Sequence, residues 1–191
     1  YYSGKGSPSE LVSAYNDAMS SARDAVNNEY RTSMQGIRAN QTPLGYTSID
    51  STFNNQLGSI RSLGKTYRQG AEQALLETRE AIDKWKNQAN VPGAHSMADM
   101  DALKQRIGEI RNKYKSDPNA ERVVSSVRKS VYDTIAARDP QYAKTMEAYS
   151  KGLDDLKNIR ETIGTSQDAS SAKKIKNLLK ASASDAGNEV L

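Results

Sequence analysis

The chain of 191 residues contains no cysteine, one histidine, one tryptophan, one phenylalanine and five prolines. Without cysteine there is no disulfide framework, no thiolate zinc site, no iron–sulfur cluster and no thiol nucleophile. A single histidine excludes multi-histidine metal sites and leaves His95 as the one imidazole available for acid–base work. No apolar run approaches the roughly 18–20 residues that a bilayer-spanning helix needs. Apolar residues make up 36% of the chain and charged residues 26%, a thin apolar share for a globular domain. The chain begins Tyr1-Tyr2 without methionine, so it reads as a piece of a longer or processed protein.

What is present is helical patterning. Ser7-Pro8-Ser9-Glu10 places a hydroxyl cap, a proline at the first helical position and a glutamate at the third. Behind it Leu11, Tyr15, Ala18, Met19, Ala22, Ala25, Val26, Tyr30, Met34 and Ile37 recur at steps of three and four. The pattern predicts a helix lasting to about Asn40, where Gln41-Thr42-Pro43 stops it. A second helix carries Ile49, Phe53, Leu57 and Ile60, with Thr47 or Ser48 as its expected cap. Gly64 is expected to end or bend this segment, and Gly70 to be a further weak point. A third helix carries Ala71, Ala74, Leu75, Ile82 and Trp85 and breaks at Val91-Pro92-Gly93.

The remainder is more sharply punctuated. Ser96 and Asp99 open a helix with Met100, Leu103, Ile107, Ile110 and Tyr114. Asp117-Pro118 opens another with Ala120, Val123, Val124, Val127, Val131 and Ile135. Asp139-Pro140 opens a third, with Ala143, Met146, Tyr149, Leu153, Leu156, Ile159 and Ile163 on its stripe. A short helix with Ile175, Leu178 and Leu179 is expected after a Ser- and Ala-rich shift. No strand-like alternation or hairpin dipeptide interrupts the series. The expected fold is therefore all-α: an elongated bundle of about six main helices in antiparallel hairpins. Along the chain it divides into a long helical hairpin region (1–92), a three-helix region (93–165) and a polar linker with a short basic helix (166–191).

The same residues offer little catalytic chemistry. Asp99 and Asp101 are two apart and cannot share a helix face. Glu77 and Glu80 share one, but away from the apolar stripe, so both are expected to be solvated. His95 and Ser96 are adjacent, an arrangement that rarely gives catalytic geometry. There is no phosphate-cradling glycine loop. No catalytic residue, cofactor, metal ligand or small-molecule substrate is expected, and the segment reads as non-enzymatic. Net charge is +4, from 27 basic and 23 acidic residues, spread thinly along the chain. Only Lys173, Lys174, Lys176 and Lys180 cluster, and they form the candidate nucleic-acid contact. Tyrosine, with ten copies, dominates the aromatics, which suits slender bundles and protein–protein contacts.

Two stretches carry a resemblance. One is His95-Ser96-Met97 followed by Asp101-Ala102-Leu103-Lys104-Gln105-Arg106-Ile107-Gly108-Glu109-Ile110. The other is Asp139-Pro140-Gln141-Tyr142-Ala143-Lys144-Thr145-Met146-Glu147-Ala148-Tyr149-Ser150. They resemble, in the same order around a valine-rich helix, helical regions of large virion-associated proteins of tailed bacteriophages, including internal or ejection proteins. Asn40-Gln41-Thr42-Pro43-Leu44 and Trp85 fit the same pattern, and the likeness spans about residues 40–165. The resemblance implies a structural virion component acting in particle assembly and genome delivery. It implies synthesis in the bacterial cytoplasm, residence in the particle, and contact with further copies or with portal, tail or internal proteins. The competing readings are a helical nucleic-acid-binding module and a bacterial adaptor or effector segment that binds a protein partner.

Overall fold

A computed structural model describes residues 7–88, 90–163 and 170–177. All regular structure among them is helical: α1 (Pro8–Ala39), α2 (Thr47–Arg61), α3 (Lys65–Lys86), α4 (Met97–Lys113), α5 (Pro118–Arg138), α6 (Pro140–Ile163) and a short α7 over 170–177. The all-α class and the helix order match the sequence pattern, and the reason lies in the starts. Ser7 and Glu10 form a reciprocal capping box, with Ser7 N–H donating to Glu10 Oε2 at 2.7 Å and Glu10 N–H to Ser7 Oγ at 3.3 Å. Ser96 Oγ accepts from Asp99 N–H at 3.3 Å, and Asp117 Oδ1 accepts from the amides of Asn119 and Ala120, both at 3.0 Å. Asp139 Oδ1 accepts from Gln141 N–H at 2.9 Å.

Two local expectations are corrected. Neither Thr47 nor Ser48 caps α2; Tyr46 holds the cap position without a side-chain cap bond. Its ring stands edge-on to Trp85 at 6.0 Å, and Ser48 Oγ is bonded instead to Thr134 Oγ1 on α5 at 3.0 Å. Gly70 is no weak point in α3. A Cβ there would lie 2.0 Å from Asp117 Oδ2, so the glycine lets α3 pass against the capped start of α5. Gly64, in extended backbone, is the cap position of α3, as its expected role at the end of the second segment requires.

By contacts the chain forms two compact units, residues 33–145 and residues 1–32 with 146–191. The boundary drawn along the sequence at residues 92–93 therefore lies inside the larger unit. There α5 packs against α2, α3 and α4, and α3 against α2 and α4, so helices on both sides of Pro92 share one core. That core contains Ile49, Phe53 and Ile60 of α2, Leu75, Ile82 and Trp85 of α3, Met100, Leu103 and Ile107 of α4, and Val123, Val127, Val131 and Ile135 of α5. The buried residues of α5 are β-branched apart from Ala120 and Ser130, and these compact side chains let three neighbours close around the helix.

In the smaller unit α1 and α6 run antiparallel. Tyr30 stacks on Tyr149 at 4.6 Å between ring centroids, and Val26 meets Gly152 one turn further along. Val12 meets Ile163 near the far end. A Cβ on Gly152 would lie 3.0 Å from both Val26 methyls, so the bare glycine sets how closely the helices approach. Ala172 and Ile175 of α7 close over Val12 and Ile163. The expected stripe on α6 is only partly buried: Tyr142, which extends its row one turn before Met146, is fully buried, whereas Ile159 is exposed.

Candidate functional site

The most chemically distinctive constellation is a buried polar triad in the larger unit. Asp101 and Lys104 lie one turn apart on α4, at 1% and 4% exposure, and Tyr142 on the first turns of α6 is fully buried. Tyr142 donates its hydroxyl proton to Asp101 Oδ1 at 2.6 Å, and Lys104 Nζ lies 2.8 Å from the same oxygen. Lys104 also hydrogen-bonds the Tyr142 hydroxyl and sits 4.8 Å from the centre of its ring. Burial pulls the Lys104 ammonium below the usual lysine range, and the charge and hydrogen bond of Asp101 oppose that pull. Paired and hydrogen-bonded in this way, the charges can be buried at all.

A second cluster joins the loops at the start of α4. His95 has a left-handed backbone (φ 62°), its N–H donates to Asp99 Oδ2 at 2.8 Å, and its Nε2 faces the Trp85 carbonyl at 3.1 Å. The imidazole packs on the Trp85 indole at 4.3 Å, and the His95 carbonyl accepts from Leu44 N–H at 2.8 Å. Lys86 Nζ lies over the Tyr46 ring at 4.5 Å while pairing with Asp50 at 2.5 Å. Gly93 (φ 77°) leaves room for Gln41, whose Oε1 would be 2.7 Å from an added Cβ. His95 and Ser96 do not work on one another here: the ring faces Trp85 while the Ser96 hydroxyl caps α4.

Asp99 and Asp101 diverge, as their spacing requires. The first serves the loop and the second the triad. Glu77 departs from the expected solvated role. It accepts from Lys113 Nζ and from the Tyr114 hydroxyl, each at 2.7 Å, and so fastens α3 to the end of α4. Those two hydrogen bonds hold its carboxyl below the usual glutamate range. Lys113 is raised in return by the bond to Glu77, and Tyr114 is raised chiefly by burial.

Of the lysine cluster, Lys173, Lys174 and Lys176 are exposed on α7, opposite the buried Ala172 and Ile175; Lys180 lies outside the described residues. The unit that carries them has 10 basic and 11 acidic residues, whereas the larger unit has 17 and 12. The basic excess of the chain therefore lies away from its lysine cluster. Among the described residues no group of His, Asp and Glu is placed to hold a metal ion, and no helix is long and apolar enough to cross a membrane.

The triad was missed in the sequence because its members read separately. Asp101 reads as half of a poor carboxylate pair, and Tyr142, four residues before Met146 and seven before Tyr149, reads as one more apolar member of the α6 row. The signal was present as an i,i+3 Asp–Lys pair placed among apolar positions. Fold and site together define an all-α bundle whose ionisable side chains fasten helices to one another. Compared with known proteins, the chain matches no protein-family model, no curated protein and no solved structure.

Proposed function

We propose that the chain is a structural helical segment of a tailed-phage virion protein, of the internal or ejection type. In this reading it acts in particle assembly and genome delivery by packing, without catalysis of its own. The observation that carries this reading is where the two resembling strings meet. Asp101 and Lys104 come from the first string and Tyr142 from the second, and together they make the buried triad. The upstream Gln41 and Leu44, Trp85 and His95 meet likewise at the loop cluster. Strings that interlock in space are residues of packing, which suits an assembly component better than scattered matches would.

The partners in this reading are further copies of the chain and other virion proteins, such as portal, tail or internal proteins. The test is quantitative mass spectrometry of nuclease-treated particles purified from cells that carry the gene, before and after genome release in vitro. Peptides at a fixed ratio to the major capsid protein in filled particles, depleted after release, are the expected result. Abundant protein in the lysate with none in the particles contradicts it.

A further inference from the structure

The smaller unit contains a groove with a marked chemical character. Met19, Leu153 and Leu156 line it, half-buried, together with the exposed Arg23, Lys157 and Arg160; its volume is about 260 Å³. No carboxylate lines it. Lys157 is held only loosely by Glu161, at 3.8 Å with both side chains largely exposed, and Arg23 and Arg160 make no ion pair among the described residues. Near the far end of the same helix pair, α7 closes over Val12 and Ile163. At the groove no described residue supplies that third layer. A recess between two antiparallel helices, aliphatic within and cationic at the rim, takes the ridge of another helix bearing an aliphatic side chain between carboxylates.

The chain presents such a ridge itself. Leu76 on α3 is 63% exposed, more than any other large aliphatic side chain among the described residues. Glu72 and Glu80 lie four residues to either side of it, in one row along the helix, with Asp83 beyond. Glu72 is paired with Arg68 at 2.9 Å and Arg79 is engaged by Asp50 and Asp83 at 3.8 and 3.7 Å, while Glu80, one turn before Lys84, has no ion pair among the described residues. We infer that the Glu72–Leu76–Glu80 ridge of one copy docks into the Met19–Leu153–Leu156 groove of a second copy, with Glu80 facing Arg160. The inference rests on the assembly reading above and names the surface that reading requires. Such a contact joins different surfaces of the two copies, so it repeats into a ring or a chain. One ridge in one groove falls short of the ~1,200 Å² of a stable interface, so association is weak and depends on concentration and salt. A nucleic acid would use the cations but not the aliphatic floor, and a flat membrane meets a protruding apolar surface better than a recessed one.

The test is sedimentation velocity of the full chain over a concentration series at low and high salt. Expected is reversible association that salt weakens, and that Leu76→Asp or Arg160→Glu each weakens roughly tenfold or more, about 1.4 kcal/mol. Both sites are exposed, so unchanged thermal melts by circular dichroism verify folding. Joining Glu80→Arg to Arg160→Glu restores association only if these two side chains face one another. A monomer at every concentration, association indifferent to both single variants, or no recovery in the charge swap overturns the inference. So does an Arg160-dependent affinity for a single-stranded oligonucleotide or for anionic vesicles without self-association. A protein that is monomeric yet present in particles sinks this inference alone. Self-association of a protein absent from particles sinks the virion reading instead.

Discussion

The Tyr142 hydroxyl and the Asp101 carboxylate, 41 residues apart in the chain, meet at 2.6 Å in the core, on the oxygen that also holds Lys104. One carboxylate oxygen therefore accepts from a neutral donor on α6 and a charged donor on α4. Tyr142→Phe removes the link to α6 and leaves the Asp101–Lys104 pair intact. The expected cost is about 2–4 kcal/mol, since the hydroxyl's bonds to Asp101 and to Lys104 are both lost. Urea unfolding followed by far-UV circular dichroism checks it, and an unchanged midpoint would place the hydroxyl outside the energetics of the fold.

Gly70→Ala offers a test by sign. In an unobstructed helix interior, alanine in place of glycine stabilises by up to about 1 kcal/mol. Here the new methyl meets Asp117 Oδ2, so the substitution is expected to destabilise by disturbing the cap of α5. Asp117→Ala alone costs roughly 1 kcal/mol, the usual worth of such a cap. In the Asp117→Ala background Gly70→Ala should turn stabilising, because the only side chain crowding the position is gone. A Gly70→Ala effect of the same sign in both backgrounds would remove Asp117 as the cause.

The bonds from Lys113 and Tyr114 lower the Glu77 carboxyl below its value in the unfolded chain. A depressed acid contributes stability that is fully present above its unfolded value and is lost as pH falls through the folded one. Stability followed from neutral pH down through the carboxylate range should therefore decline less in Glu77→Gln than in the native chain. Added salt should shrink that difference, since Lys113 is largely exposed. Parallel acid profiles for the two proteins would contradict the assignment.

A charge on the central stripes should be expensive where burial is complete and cheaper where it is not. Ile107 and Val127 are fully buried, so Ile107→Asp and Val127→Asp should each cost several kcal/mol, on the order of 4 or more. Leu153 lines the half-open groove of the smaller unit, and Leu153→Asp should cost clearly less. The single tryptophan reports on the larger unit: Trp85 is 5% exposed, and its emission should shift to the red only on unfolding. Equal losses from all three substitutions would show that the groove side chain is as enclosed as the core.

Helix starts were the most legible part of the sequence, because a cap is a local bond between residues two or three apart. Ser7–Glu10, Ser96–Asp99 and the Asp-Pro pairs could be read without knowing the partner helices. The stripes on α3, α4 and α5 were legible for a similar reason, since each is buried against several neighbours and so apolar apart from Thr78, Asp101, Lys104 and Ser130. The long α1 and α6 were less legible. Ala18, Ala25 and Ile159 continue the stripe yet are exposed, because the two helices of the smaller unit cover only part of one another. Least legible were the cross-chain meetings of Glu77 with Tyr114, Gly70 with Asp117 and Tyr142 with Asp101. Nothing in spacing ties residues 37 to 47 positions apart, and a polar residue in an apolar row looks like noise until its partner is placed.

That Asp101 and Lys104, the α4 pair to which Tyr142 of α6 is hydrogen-bonded, hold one another's charge in the core is tested most directly by a double-substitution cycle on the two. Asp101→Leu strands a buried ammonium and Lys104→Met a buried carboxylate, so each single change should cost about 3–5 kcal/mol. The double substitution removes both charges and should cost far less than the sum, with a coupling energy of ~2 kcal/mol or more by denaturant unfolding. Single costs below about 0.5 kcal/mol, or a double that adds within that margin, would contradict the account.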